Sequence, residues 1–101
     1  MRECGPTRWV AFDRDDRDYI TWSSTGLSSS ATAAVELEAS GTWIPLTVDH
    51  VTGDLTGLFA GPDHVSPGSA VVVPVTSHVV IRIVDGLVQR DLDGGFIHLV
   101  P

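Results

Sequence analysis

Apolar and polar residues alternate along much of this chain, the two-residue period that sends successive side chains to opposite faces of a β-strand. The clearest case flanks Ser40-Gly41, where Ala33, Val35 and Leu37 alternate with Ala34, Glu36 and Glu38, and Ile44, Leu46 and Val48 follow at the same period. With Ser40-Gly41 as a tight hairpin turn, Leu37 stands opposite Ile44, Val35 opposite Leu46 and Ala33 opposite Val48, so these apolar side chains share one face. Trp43 and Pro45 then fall on the other face with Glu36 and Glu38, and a slip of one residue would exchange the two sets. A helix over residues 30–39, favoured by its alanines and a serine cap, is the competing reading; the strict alternation and the Ser-Gly that follows speak against it.

The same period predicts strands over residues 9–12, 19–22, 55–60, 70–75, 79–84 and 96–100. Turn residues separate them: Gly61-Pro62, a loop over 63–69 carrying Pro67-Gly68, Asp85-Gly86, and the stretch 91–95. In the run 79–84, Val79, Ile81 and Ile83 point one way and His78, Val80 and Arg82 the other, the mark of a central strand. Pro45 and Pro74 each remove a ladder donor and so mark an edge, a bulge or a strand end. Seven or eight strands at this spacing predict an all-β fold, an immunoglobulin-like antiparallel β-sandwich. The Cys-Trp-Cys signature of antibody domains is missing, so that comparison is architectural.

A chain of 101 residues holds one hydrophobic core, which makes 1–101 a single domain. Six arginines against thirteen acids give a formal charge of −7, a field that repels nucleic-acid backbones and anionic lipid. Neither a nucleic acid nor a membrane is therefore an expected partner. No apolar run approaches membrane-helix length, and Glu3, Gly5 and Pro6 stand where a signal peptide would be apolar. Cys4 is the one cysteine, which rules out an internal disulfide or a CxxC metal site.

Candidate chemistry is sparse. Asp13, Asp15, Asp16 and Asp18 offer oxygen ligands of the kind calcium takes, but Arg14 and Arg17 interrupt them and Ser24 stands where a calcium loop needs its glutamate. A solvated turn with ion pairs is the expectation. His50, His64, His78 and His98 are scattered with none at metal-ligand spacing. Asp49-His50 lacks the strand-turn-helix nucleophile elbow of a hydrolase, and Gly53, Gly57 and Gly61 precede no helix that would hold a phosphate. No enzyme activity, metal or cofactor is expected. What remains is surface: Trp43, beside Pro45, is of the residue type most enriched at interface hot spots, and Trp9 and Phe12 sit on a terminal strand that either completes the parent sheet or reaches a neighbour as an arm. These four residues are the candidate interface.

Further along, Leu58-Phe59-Ala60-Gly61-Pro62, Ser66-Pro67-Gly68, Val80-Ile81-Arg82-Ile83-Val84-Asp85 and Gly94-Gly95-Phe96-Ile97-His98-Leu99-Val100 follow one another, after the strand Val35 to Glu38 and the tryptophan-bearing run Thr42 to Leu46. This order resembles small virion proteins of tailed phages that infect actinobacteria, and the resemblance covers roughly the C-terminal two thirds. The absence of lysine and asparagine, the residues with the most A/T-rich codons, agrees with a G/C-rich genome. The resemblance implies a non-enzymatic structural component at the head-tail neck or tail, with capsid decoration as the alternative. Its partners would be other virion proteins and copies of itself in a symmetric assembly. A reading of another class is a carbohydrate- or receptor-binding module that uses Trp43, Trp22 and the aspartates.

Overall fold

The computed structural model describes residues 1–65 and 68–101, so the Pro67 half of the expected Pro67-Gly68 turn lies outside the described residues. Among the described residues there is no helix, and strand β4 occupies the segment for which a helix was the competing reading. The strands are β1 (Arg2–Glu3), β2 (Trp9–Asp13), β3 (Arg17–Ser23), β4 (Thr32–Leu37), β5 (Ile44–Val48), β6 (Asp54–Ala60), β7 (Val71–Val72), β8 (Ser77–Asp85) and β9 (Val88–Val100). They form one sheet in the order β1-β3-β6-β5-β4-β8-β9-β2, with β7 added to β6, and the sheet curls until it is nearly closed as a barrel. Two-residue β1 accounts for the excess over the expected eight, and the strand expected over 70–75 shrinks to β7.

The sheet is mixed, where an antiparallel one was expected: β1 with β3, β2 with β9 and β6 with β7 run parallel. Parallel neighbours need a long crossover connection. For β2 and β9 that connection is most of the domain, which local patterning cannot reveal. Strand β5 turns the corner of the sheet. Its Ile44, Pro45 and Leu46 pair with β4, and its Thr47 and Val48 pair with β6.

Alternating side chains fill the interior as expected on β8, where Val79, Ile81 and Ile83 are buried. Phe12, Ile20, Val35, Leu55, Phe59 and Ile97 join them in one cluster, and Trp22 meets Phe59 edge-on at 5.8 Å. The β4–β5 hairpin keeps its predicted face but not its register. Val35 pairs with Ile44 and Ala33 with Leu46, two residues from the expected alignment, because the connection spans 38–43 and not Ser40-Gly41 alone. Glu38 and Ala39 adopt positive φ, 49° and 50°, and two carboxylates hold the wider loop. Glu36 accepts from the Gly41 N–H at 2.8 Å and Glu38 from the His78 N–H at 2.7 Å.

The stretch 91–95, expected as a turn, lies inside β9. Between His78 and Val80, strand β8 advances two residues while β9 advances three, from Phe96 to Asp93. The extra residue is a β-bulge at Gly94-Gly95, with Gly95 at φ 80° as a glycine bulge requires. The bulge resets the alternation, so Leu92 and Ile97 both face inward although they are an odd number of positions apart.

The two ends of the sheet, β1 and β2, are joined through one side chain. Arg2 Nη1 donates to the Ala11 carbonyl at 3.0 Å, its guanidinium lies 4.9 Å from the Phe12 ring centroid, and it pairs with Asp16 at 2.9 Å and Asp18 at 3.1 Å. A planar fork with several donors suits this bridging, which a lysine would make at one point only.

Candidate functional site

The outer face of the β5-β4-β8-β9-β2 stretch carries Trp9, Trp43 and Phe96, while exposed Tyr19 lies apart on β3, and strand register fixes the neighbours there. Trp9 lies beside Phe96 and Phe96 beside His78. One step along, Asp93 lies beside Val80 and Val80 beside Glu36. The next step runs Asp91, Arg82, Ala34 and Pro45. Trp9 is 60% exposed. It stacks on Phe96 with centroids 4.5 Å apart and meets His98 edge-on at 5.8 Å, while Phe96 tilts against His78 at 5.0 Å. At the far side of the face, the Arg82 guanidinium sits 3.9 Å from the Trp43 ring centroid and binds Asp91 bidentately at 2.9 and 3.0 Å.

Of the candidate interface residues, Trp9, Trp43 and Pro45 thus share one face, with Trp9 on border strand β2 and Trp43 in the loop that leads into border strand β5. Phe12 does not belong with them: it is 0% exposed and sits in the core. Its position one place from the end of β2 alternates with Trp9 and Ala11, so the sheet's own pleat turns it inward. Strand β2 therefore completes the parent sheet. Trp43 is half-buried, with the Arg82 guanidinium over its ring. Sequence reasoning left Phe96, His78, Arg82 and His98 out of the surface set. For His78 and Arg82 the signal was present, since both alternate with the buried Val79, Ile81 and Ile83.

Fixed charges organise this face. Asp93 accepts from the Gly95 N–H at 2.8 Å and pairs with His78 at 3.0 Å; these contacts, the backbone one first, hold its carboxyl below the usual aspartate range. Asp91 is lowered by its hydrogen bonds from Arg82. Elsewhere Asp16, Asp49 and Asp63 are lowered too, Asp16 and Asp49 mainly by backbone N–H donors and Asp63 by Arg14. A carboxylate whose folded pKa lies below its unfolded value stabilises the fold above that unfolded value, and the contribution is lost as pH falls through the folded pKa. The thermal midpoint is therefore expected to be flat above about pH 5 and to drop below about pH 4. Replacing both Asp91 and Asp93 by Asn should flatten that drop, as scanning calorimetry between pH 5 and pH 2 would read; an unchanged slope would refute their part in it.

Three other groupings carry less chemistry. Asp13, Asp15 and Asp16 bring carboxylate oxygens within 4.8 Å of one another, but Asp16 is already engaged by the Asp13 N–H and by Arg2. Asp49 accepts from the Val51 and Thr52 N–H groups at 2.9 and 3.1 Å, which commits it to its own turn. Cys4 is buried, its Sγ donating to the Gly94 carbonyl at 3.2 Å, and burial raises its pKa. A thiol held protonated in this way is a poor nucleophile. It forms part of the wall of a cleft of about 470 Å³ that opens between the N-terminal segment and the β8–β9 hairpin, floored by Trp22, Leu55, Ile81 and Leu92.

No family model, curated protein or solved structure matches the chain.

Proposed function

We propose that this protein is a non-enzymatic structural component of a tailed-phage virion, docking on other virion proteins and on copies of itself at the head-tail neck or tail. The observation that carries the docking reading is the gathering of Trp9, Trp43 and Pro45 on one outer sheet face. Five strands at about 4.8 Å spacing make that face roughly 19 Å wide, room for a partner's sheet or arm. Its aromatic groups are held by stacking and by Arg82, so little side-chain freedom is lost when a partner covers them. The virion assignment rests on the resemblance over the C-terminal two thirds. Capsid decoration is the same docking reading at another place on the particle.

An immunoglobulin-like sandwich is the finer description of the fold that we favour. With β3, β4, β6, β8 and β9 taken as strands B, C, E, F and G, the observed pairs β3–β6, β4–β8 and β8–β9 are the B–E, C–F and F–G pairs of that layout. Corner strand β5 then bridges the two layers.

Two measurements test the function. Mass spectrometry of purified particles of the encoding phage should detect the protein, and its absence from them would remove the virion reading. In particles made with Trp9→Ala or Trp43→Ala protein, incorporation should fall about tenfold or more, the effect of losing one interface anchor. Normal incorporation of both variants would remove the outer face as the docking surface. The module reading loses Trp22, which is buried in the core, and its Trp43 ring is covered by Arg82; moved to the exposed Trp9 ring, it predicts saturable glycan binding by the isolated protein that Trp9→Ala abolishes.

A further inference from the structure

Strand β9 is paired on only one side over half its length. Strand β2 covers it from Phe96 to Val100, and over Val88 to Asp93 no strand lies on that side among the described residues. An uncovered stretch of this kind presents backbone N–H and C=O groups to any chain that can lie alongside. Three further observations fall on the same stretch. The cleft of about 470 Å³ opens beside it, with Leu92 in its lining and Trp22, Leu55 and Ile81 beneath. The tip of the β8–β9 hairpin exposes Leu87 and Val88, Leu87 completely. Arg90, on the same side of β9 as Leu92, and Arg8, on the cleft rim, have no side-chain hydrogen bond or ion pair among the described residues, although the chain has thirteen acids.

We propose that this edge accepts an extended segment of a partner protein, added as a strand beside β9, with one apolar side chain in the cleft and carboxylates facing Arg90 and Arg8. Main-chain hydrogen bonds to the edge would supply affinity and the alternate side chains specificity. Because strand side chains repeat every two residues, the residue opposite Leu92 enters the cleft and the residue two away lies opposite Arg90. The segment therefore reads acid, any residue, apolar, with a second acid two positions further on toward Arg8. Two acids also line the cleft: Asp93 is already engaged by His78 and the Gly95 N–H, and Glu3 stands on the N-terminal wall, which sets the partner's acids on the Arg90 and Arg8 side. A second copy of this chain fits poorly as the occupant, since antiparallel pairing of two β9 edges centred on Arg90 or on Asp91 would set like charges against each other. The site is separate from the aromatic outer face, so its failure leaves the docking reading intact.

The test uses the whole protein, labelled with ¹⁵N, and a seven-residue peptide with leucine at its centre, glutamate two positions to either side and threonine elsewhere. Titration should give saturable shifts of the 88–93 amides and of the Trp22 indole N–H, and slower hydrogen exchange along 88–93. The solvent-exposed substitution Arg90→Gln, which leaves the core untouched, should weaken binding about threefold, the scale of one exposed charge pair. A peptide with lysines in place of the glutamates should bind more weakly still, and one with serine in place of leucine should leave the Trp22 signal unmoved. Absence of saturable shifts, equal binding of the lysine and glutamate peptides, shifts confined to the Trp9 face, or concentration-dependent dimerisation through 88–93 without peptide would each overturn the proposal.

Discussion

Phe12→Ala is expected to destabilise the protein by about 3–5 kcal/mol in equilibrium urea unfolding, a large share of the stability of a domain this size. The ring is wholly buried, and β2 brings it against the pair it forms with Leu99 on β9. Truncation would leave a cavity that neighbouring strands, fixed by their ladders, cannot close. It would also remove the surface over which the Arg2 guanidinium lies, loosening the contact that ties β1 to β2. Trp9→Ala, three residues away on the same strand, is expected to cost less than about 1.5 kcal/mol, since most of its ring already meets solvent. The contrast between the two decides whether β2 belongs to its own domain or is an arm awaiting a neighbour. Were Phe12→Ala to unfold within 1 kcal/mol of the parent at about the same urea midpoint, the arm would be the better account.

What the sequence disclosed follows the range of the forces involved. Strand β8 was legible because burial on one side imposes a local alternation, and Val79, Ile81 and Ile83 carry it without interruption. The inward face of the β4–β5 hairpin was legible for the same reason. Its register was not, because the loop depends on Glu38 and Ala39 at positive φ, and on a bond from the His78 N–H to Glu38 across forty positions. The valine-rich run 70–75 reads as a full strand, yet only Val71–Val72 pairs as one, with Pro74 two residues beyond. On the outer face, Trp9, Trp43 and Pro45 were identified singly. That they share a surface depends on the parallel β2–β9 pairing between the two ends of the domain, which no local pattern encodes.

Gly95 shows the same limit at a single residue and carries the second large prediction. Two adjacent glycines after Asp91 and Asp93 read as a turn, and a bulge uses the same left-handed freedom, so composition does not separate them. The difference lies in what approaches. A Cβ on Gly95 would stand 2.2 Å from the Gly5 carbonyl oxygen and 2.6 Å from that of Arg8, backbone atoms that the Phe96 N–H to Arg8 bond holds in place. Gly95→Ala is thus expected to cost more than about 3 kcal/mol, left-handed strain plus a clash that only movement of the N-terminal segment relieves. Gly86 is the matched comparison. It also has positive φ, 62°, as the first central residue of the β8–β9 turn, but nothing lies within 4 Å of its Cβ position. Gly86→Ala should therefore show the conformational penalty by itself, about 1 kcal/mol. Thiol labelling adds a local readout. Movement of the Gly5 segment would free Cys4 from the Gly94 carbonyl, so Cys4 should react with a disulfide reagent faster in Gly95→Ala than in Gly86→Ala under folding conditions. Equal stability losses and equal labelling rates in the two variants would mean that the N-terminal segment does not press on the bulge, and the wall it gives the cleft would go with it.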